Sequence, residues 1–241
     1  MATLAQASSE SHLDQSGIVR LVTVISVHLV TAAIFFGAAG TARLRVGWIY
    51  YGGLLAYLTV SIVALFYLCP TVVATVNARG KRHRDVKTWD KVFGVMYAAL
   101  LAISPAVAGF DCGRLHTLDL PHSMAWLALA FTCFASALAQ WAMVVNKHAE
   151  TGVRLQSDRG HEVVSSGPYA FVRHPFYVSM IATQLAYPVA VGSLYATIPA
   201  ALIAGLAIWR TAREDETLRR ELPGYAAFAE HTRYRLLPGV W

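Results

Sequence analysis

The sequence predicts an all-α integral membrane protein with four transmembrane helices followed by a C-terminal helical hairpin. Three observations predict it. Hydrophobic residues make up 56% of the 241 and charged residues only 14%, against about 25% charged in a soluble domain. Mean hydropathy is +0.47. Four separate charge-poor runs approach or exceed the roughly 20 residues needed to cross a hydrocarbon core of about 30 Å.

The first 17 residues are polar and lack a basic n-region, so they read as a disordered tail rather than a signal peptide. The first apolar run follows at 18–40, broken only by Arg20 near its start. The second covers 46–69 and stops at Pro70. The third spans 92–110 and the fourth 123–145. Together, residues 18–145 form a four-helix transmembrane region.

The last apolar stretch, 176–209, carries no charged residue and is too long for one ordinary span. Pro188 and Gly192 sit near its middle, where a turn costs least. A helical hairpin, with halves of about 17 residues, accounts for it. Residues 146–241 then form one region: a polar segment, the hairpin and a C-terminal helix.

Lys and Arg lie between the apolar runs and towards the C-terminus. The most basic short loop, residues 79–87, belongs on the cytoplasmic side. An even number of crossings places both termini there, together with residues 146–175 and the tail after Arg210. The membrane is expected to be a bacterial inner membrane, since the composition is Ala-rich.

Several functions find no support. The net charge is +6, but no basic stripe interleaved with aromatics suggests a nucleic-acid partner. Cys69, Cys112 and Cys133 are scattered, without the spacing of a disulfide framework or a zinc site. The nine histidines show no metal-ligand spacing, so no metal is expected. His28, inside a span, reads as a packing residue. No dinucleotide fingerprint, phosphate loop or nucleophile elbow occurs.

The chemistry-bearing residues fall in two clusters. Residues 159–177 place His161, Tyr169, Arg173, His174 and Tyr177 directly before the hairpin. Read by residue type, they suit either an interfacial belt or a cavity lining. The second cluster begins where the hairpin returns: Arg210 and Glu214, four apart, share one helix face and suit a surface ion pair equally well. A hairpin returns its end near its start, and so brings the two clusters together.

These residues carry a resemblance. The ordered set is His161-Glu162-Val163-Val164, Gly167-Pro168-Tyr169, Arg173-His174-Pro175-Phe176-Tyr177, then Arg210, Glu214-Asp215 with Leu218, Gly224-Tyr225 and Pro238. It resembles the isoprenylcysteine carboxyl methyltransferase family over about the last 85 residues. Ser179, Asp215 and Phe228 depart from the family pattern. So does Arg154, near a usual Gln, with Gln156 two residues on.

The resemblance implies an S-adenosylmethionine-dependent methyltransferase with a cytoplasmic cofactor pocket and a lipophilic or lipid acceptor from the bilayer. It assigns His161, Val163, Val164, Tyr169, His174, Pro175, Tyr177 and Glu214 to the cofactor. It assigns Arg210 and Arg173 to catalysis, with Arg210 also facing the acceptor. Glu214 suits the ammonium of the methionine moiety, Tyr169 the adenine, and Arg210 an acceptor carboxylate. An NADPH-dependent membrane reductase of the sterol-reductase type, and a non-catalytic scaffold or transporter, are the alternatives. Neither accounts for the motif set.

Overall fold

The computed structural model describes residues 12–81, 86–154 and 160–241. The start of the expected tail, part of the basic loop at 82–85, and Gln156 and Arg159 lie outside the described residues.

Four long apolar helices are present: α1 (Gln15–Ala39), α2 (Arg45–Leu68), α4 (Thr88–Leu115) and α5 (His122–Val145). Between α2 and α4 lies a short helix, α3 (Val72–Gly80). The hairpin is α6 (Pro175–Val191) and α7 (Thr197–Glu221), and a last short helix is α8 (Tyr225–His231). Among the described residues there is no strand. The chain is thus all-helical, with four candidate spans.

Only 11% to 28% of each span's most apolar window is buried within the protein. Val60, Val63, Leu127, Phe134 and Leu202 are exposed on the long helices. In water such a belt would be unstable; against lipid tails it carries no penalty.

The span starts differ from the apolar runs in instructive ways. α1 begins at Gln15, because the Asp14 carboxylate accepts from the Gly17 N–H at 2.8 Å and caps the first turn. α4 begins at Thr88 and so includes Asp90, which an apolar-run criterion leaves out. α3 has no counterpart in the sequence reading. Its segment is rich in β-branched residues with low helix propensity, yet Val72, Val73, Val76 and Ala78 are buried. Packing against α1 decides its conformation.

Each span's two ends differ chemically. At one end α4 continues into a π-turn, Asp111–Leu115, and meets the tip of the hairpin. Asp111 is 1% exposed. It accepts from Ser193 Oγ at 2.6 Å, Thr117 Oγ at 2.6 Å and the Tyr195 N–H at 3.3 Å. The Cys112 thiol donates to the Val191 carbonyl at 3.1 Å.

Gly192, at φ 72°, ends α6 in the left-handed region that favours glycine. Pro188 does not turn the chain. It stays inside α6, and its carbonyl accepts from both Gly192 and Ser193. The hairpin therefore turns at residues 192–196, four residues beyond the proline.

Packing between α1 and α4 is close. A Cβ at Gly109 would lie 2.1 Å from the Phe35 carbonyl oxygen, so only glycine fits there. A second π-turn, Trp48–Gly52 in α2, brings the neighbours Tyr50 and Tyr51 both into the core. Tyr51 there exchanges a hydrogen bond with Tyr187 of α6 at 2.8 Å.

α5 packs along α6, α6 along α7, and α7 against α4. At a rise of 1.5 Å per residue, α6 with 17 residues is about 26 Å long, just short of the hydrocarbon core. α7, with 25 residues, is about 38 Å long. Its last three turns carry the charged residues past the apolar part of the hairpin, towards the polar segment after α5. The other polar segments gather at this same end: the Lys87 N–H donates to the Val153 carbonyl and Lys87 Nζ to Glu221.

Asp111→Ala should remove the buried acceptor that holds the hairpin tip. Four donors, the Thr117 N–H at 3.2 Å among them, would lose their partner, at about 1–3 kcal/mol for each buried group left unsatisfied. Thermal unfolding of detergent-solubilised protein should show a midpoint several degrees lower. An unchanged midpoint would mean that the tip is held by packing alone.

Candidate active site

At the polar end a cavity of about 700 Å³ opens between the segment after α5 and helices α1, α3, α4, α6 and α7. Its wall includes all ten residues to which the resemblance gives a site role: His161, Val163, Val164, Tyr169, Arg173, His174, Pro175, Tyr177, Arg210 and Glu214. The hairpin brings the two clusters onto one cavity.

The residues are placed by local structure. A single 3-10 turn, Gly167–Ala170, buries Tyr169, whose hydroxyl accepts from Asn146 Nδ2 at 2.9 Å. Tyr169 packs with Leu222, Tyr225 and Phe228, and the half-buried Val163, Val164 and Leu218 adjoin them. Pro175 opens α6 at the first helical position, where its missing N–H costs nothing.

His161 lies 4.8 Å from the His148 ring. Burial first, and the neighbouring His148 second, push its pKa down to about 4. At neutral pH its ring is therefore uncharged, while Glu162 beside it is exposed and pairs with Lys147 at 2.7 Å.

Arg210 and Glu214 share one face of α7 but do not form the surface pair that their spacing allows. Glu214 accepts a short hydrogen bond from the buried Tyr177 hydroxyl. Arg210 pairs with Asp90 of α4 at 2.7 Å and donates from Nη2 to the Thr151 carbonyl at 2.8 Å. Its guanidinium lies 4.3 Å from the Phe93 ring centre. Asp90 also accepts from the Val153 N–H at 2.7 Å, so a single carboxylate joins α4, the polar segment and α7.

Arg173 and His174 serve a different centre. Asp215, 0% exposed, accepts from Arg173 Nε at 2.7 Å, Arg235 Nε at 2.9 Å, the Tyr225 hydroxyl at 3.0 Å and Arg219 Nε at 3.2 Å. His174 Nε2 lies 3.3 Å from the same carboxylate.

All three guanidinium nitrogens of Arg173 are engaged. Nη1 donates to the Thr232 and Arg233 carbonyls at 2.8 and 2.6 Å, and Nη2 returns to Asp215. Backbone N–H groups of Arg173 and His174 donate to the Tyr234 and Arg235 carbonyls. Arg173 thus clasps α7 and the C-terminal segment to the base of α6.

Sequence reasoning did not single out Asp90, Asn146, His148, Arg79 or Arg20, all of which line the cavity. Asp90 and Arg20 did leave a signal, since each is a charge within one helical turn or so of an apolar run. Arg154, in the place of a usual Gln, is buried and paired with Glu150 at 2.8 Å. Among the described residues no group of three or more His, Cys, Asp or Glu is arranged to hold a metal ion.

Burial pushes the Asp215 carboxyl up, but hydrogen bonds from His174, Arg173 and Arg235 outweigh it and hold it well below the usual range. A depressed carboxyl stabilises the fold above its unfolded pKa of about 3.9 and loses that contribution as pH falls below it. Asp215→Asn should cost about 3–5 kcal/mol at pH 7, the range for breaking a buried ion pair. It should also flatten the loss of stability between about pH 4 and pH 2. A variant as stable as wild type at pH 7 would remove Asp215 from this role.

No curated protein matches the chain. The model of the isoprenylcysteine carboxyl methyltransferase (ICMT) family matches residues 127–220, from α5 through nearly all of α7. That stretch holds every motif residue from His161 to Glu214 and both arms of the hairpin, so the chain is similar to the ICMT family over the part that builds most of the cavity wall.

Proposed function

We propose that this protein transfers a methyl group from S-adenosylmethionine to a lipophilic acceptor drawn from the bilayer. The observation that carries the proposal is the placement of Glu214 and Arg210, one helical turn apart, on one cavity that also reaches between the membrane helices. A volume of about 700 Å³ falls within the range of about 300–1,000 Å³ typical of small-molecule sites.

The residues present suit the cofactor. Glu214 is half-buried and supplies a carboxylate for an ammonium group. Tyr169, Val163, Val164, Leu218 and Phe228 supply an aromatic and aliphatic wall for an adenine. The neutral His161 adds a ring without adding a repelling charge. A sulfonium-bound methyl group arrives already activated, so the chemistry supplied with the cofactor is the leaving group itself.

What remains for the protein is alignment in a water-poor space. Asp90, Thr151 and Phe93 fix Arg210, engaging Nε and Nη2. Among the described residues Nη1 keeps no partner and is the nitrogen we assign to the acceptor. Tyr177 holds the Glu214 carboxylate. Arg173 and His174 act at one remove, by fixing α7 and the first turn of α6. In the transfer one carbon–sulfur bond breaks, and the acceptor's lone pair forms the new bond to the methyl carbon. Arg210 is an orienting group here, and neither gives nor takes a proton.

Residues 146–241 form the catalytic region in this reading. The polar end, with Arg79, Lys81 and Lys87, is the cytoplasmic one, and a bacterial inner membrane is the setting we assign.

S-adenosylmethionine at saturation, but not NADPH, should raise the melting temperature of detergent-purified protein; the converse pattern would favour a reductase. Glu214→Ala should weaken cofactor binding at least tenfold. Arg210→Ala should leave it within about twofold and abolish turnover. Equal losses of cofactor affinity in both variants would refute this division of roles.

A further inference from the structure

Two cationic side chains of the cavity wall, Arg20 and Arg79, have no part in the scheme above. Arg20 lies on α1, in its second turn, within the first membrane span. It is half-buried and lines the cavity with Tyr97 of α4 and with Met180 and Thr183 of α6. Met180 and Thr183 are one and two turns beyond Tyr177 and Phe176, so this part of the cavity is its membrane-facing end.

Arg79 lies on α3, beside the seam where α3 and α1 are tied together. There Ser16 Oγ donates to the Asn77 carbonyl at 3.1 Å, and the Asp14 N–H donates to Asn77 Oδ1 at 3.2 Å. Arg20 is one turn along α1 from Ser16. The two guanidinium groups therefore approach the cavity from adjoining helices.

A charge in a membrane span is costly unless a partner or a polar cavity meets it. Arg210 has Asp90, Arg173 has Asp215 and Arg154 has Glu150. Arg20 has no hydrogen bond or ion pair among the described residues. Arg79 donates to the Ala149 carbonyl at 2.9 Å and lies over the Phe176 ring at 5.0 Å, but it too has no carboxylate partner among them. Burial first, and then the Arg20 charge, push the Arg79 pKa down to about 10. Among the described residues the carboxylates that line the cavity are Asp90, Glu150, Glu162 and Glu214. The first three are taken by Arg210, Arg154 and Lys147, and Glu214 by Tyr177.

We infer that Arg20, with Arg79 beside it, is the docking point for the anionic headgroup, carboxylate or phosphate, of an amphiphile that reaches the cavity from the bilayer. The inference rests on the methyltransferase reading for the amphiphile's role as acceptor, but not for its binding. A guanidinium matches either anion bidentately, and the side chains of Phe93, Tyr97 and Met180 line the same cavity with apolar surface. Specificity then comes from two cations on α1 and α3, outside the family-matched residues 127–220.

The test is equilibrium binding of four single-chain probes to the full-length protein in a neutral maltoside detergent, without cofactor. The probes are dodecanoate, dodecyl phosphate, dodecanol and dodecyltrimethylammonium. Either anion, or both, should bind at least tenfold more tightly than the alcohol and the cation, and the preferred anion identifies the headgroup class. Arg20→Gln should remove that preference, while Arg20→Lys should keep part of it. If Arg20→Gln does not fold, Arg79→Gln should weaken anion binding and Arg20→Lys should again retain part of it.

Equal binding of all four probes would overturn the inference, as would anion binding unmoved by Arg20→Gln, or by Arg79→Gln where that variant stands in. Because no cofactor is present, failure here leaves the methyltransferase reading standing. A missing melting shift with S-adenosylmethionine would strike that reading alone.

Discussion

The buried carboxylate of Asp215 is the interaction on which the polar end depends. It is fully enclosed, and draws Arg173 and His174 from the base of α6, Tyr225 from α8, Arg219 from its own helix and Arg235 from the C-terminal segment. A buried charge with several donors is costly to disturb, because losing one partner leaves the others uncompensated. That rigidity has a geometric use. Asp215 adjoins Glu214 on α7, so fixing Asp215 also fixes the angle at which Glu214 and, one turn earlier, Arg210 meet the cavity.

A second carboxylate fixes the other wall. Asp90 receives Arg210 and the Val153 N–H, linking the start of α4 to the polar segment and to α7. At the far end Asp111 plays the matching role for the hairpin tip. The hairpin is thus pinned at its tip and at its polar end, and the apolar part between needs only packing against α5 and α4. Three buried acids do what disulfides or a metal do in small water-soluble scaffolds, and they suit a chain whose exposed surface is lipid.

Much of this was legible in the sequence. The four spans follow from run length alone, because a bilayer imposes one scale on all of them. The ordered motif from His161 to Glu214 located the cavity wall, and the hairpin topology accounted for its two halves meeting. The misses have separate physical causes. α3 is helical against its local propensity, since burial of Val72 and Val76 outweighs their β-branched preference. Of Pro188 and Gly192, the two residues read as the place of the turn, Gly192 does end α6 in the left-handed region, whereas Pro188 stays inside the helix. Arg210 pairs with Asp90 across 120 residues, a partner no local spacing indicates. The i,i+4 relation to Glu214 is real but reports a shared face, not a bond. Arg173 sits within the motif, yet its guanidinium is committed to Asp215 and to backbone carbonyls that lie far along the chain.

In the proposed reaction the cavity between the polar segment and α7 receives S-adenosylmethionine. Ultraviolet cross-linking of the radiolabelled cofactor to the detergent-purified protein, with the adduct mapped by peptide mass spectrometry, tests it most directly. The label should fall within residues 161–177 or 210–228 and be competed away by unlabelled S-adenosylmethionine. Competable label confined to peptides of α1, α2 or the far end of the hairpin would contradict the account.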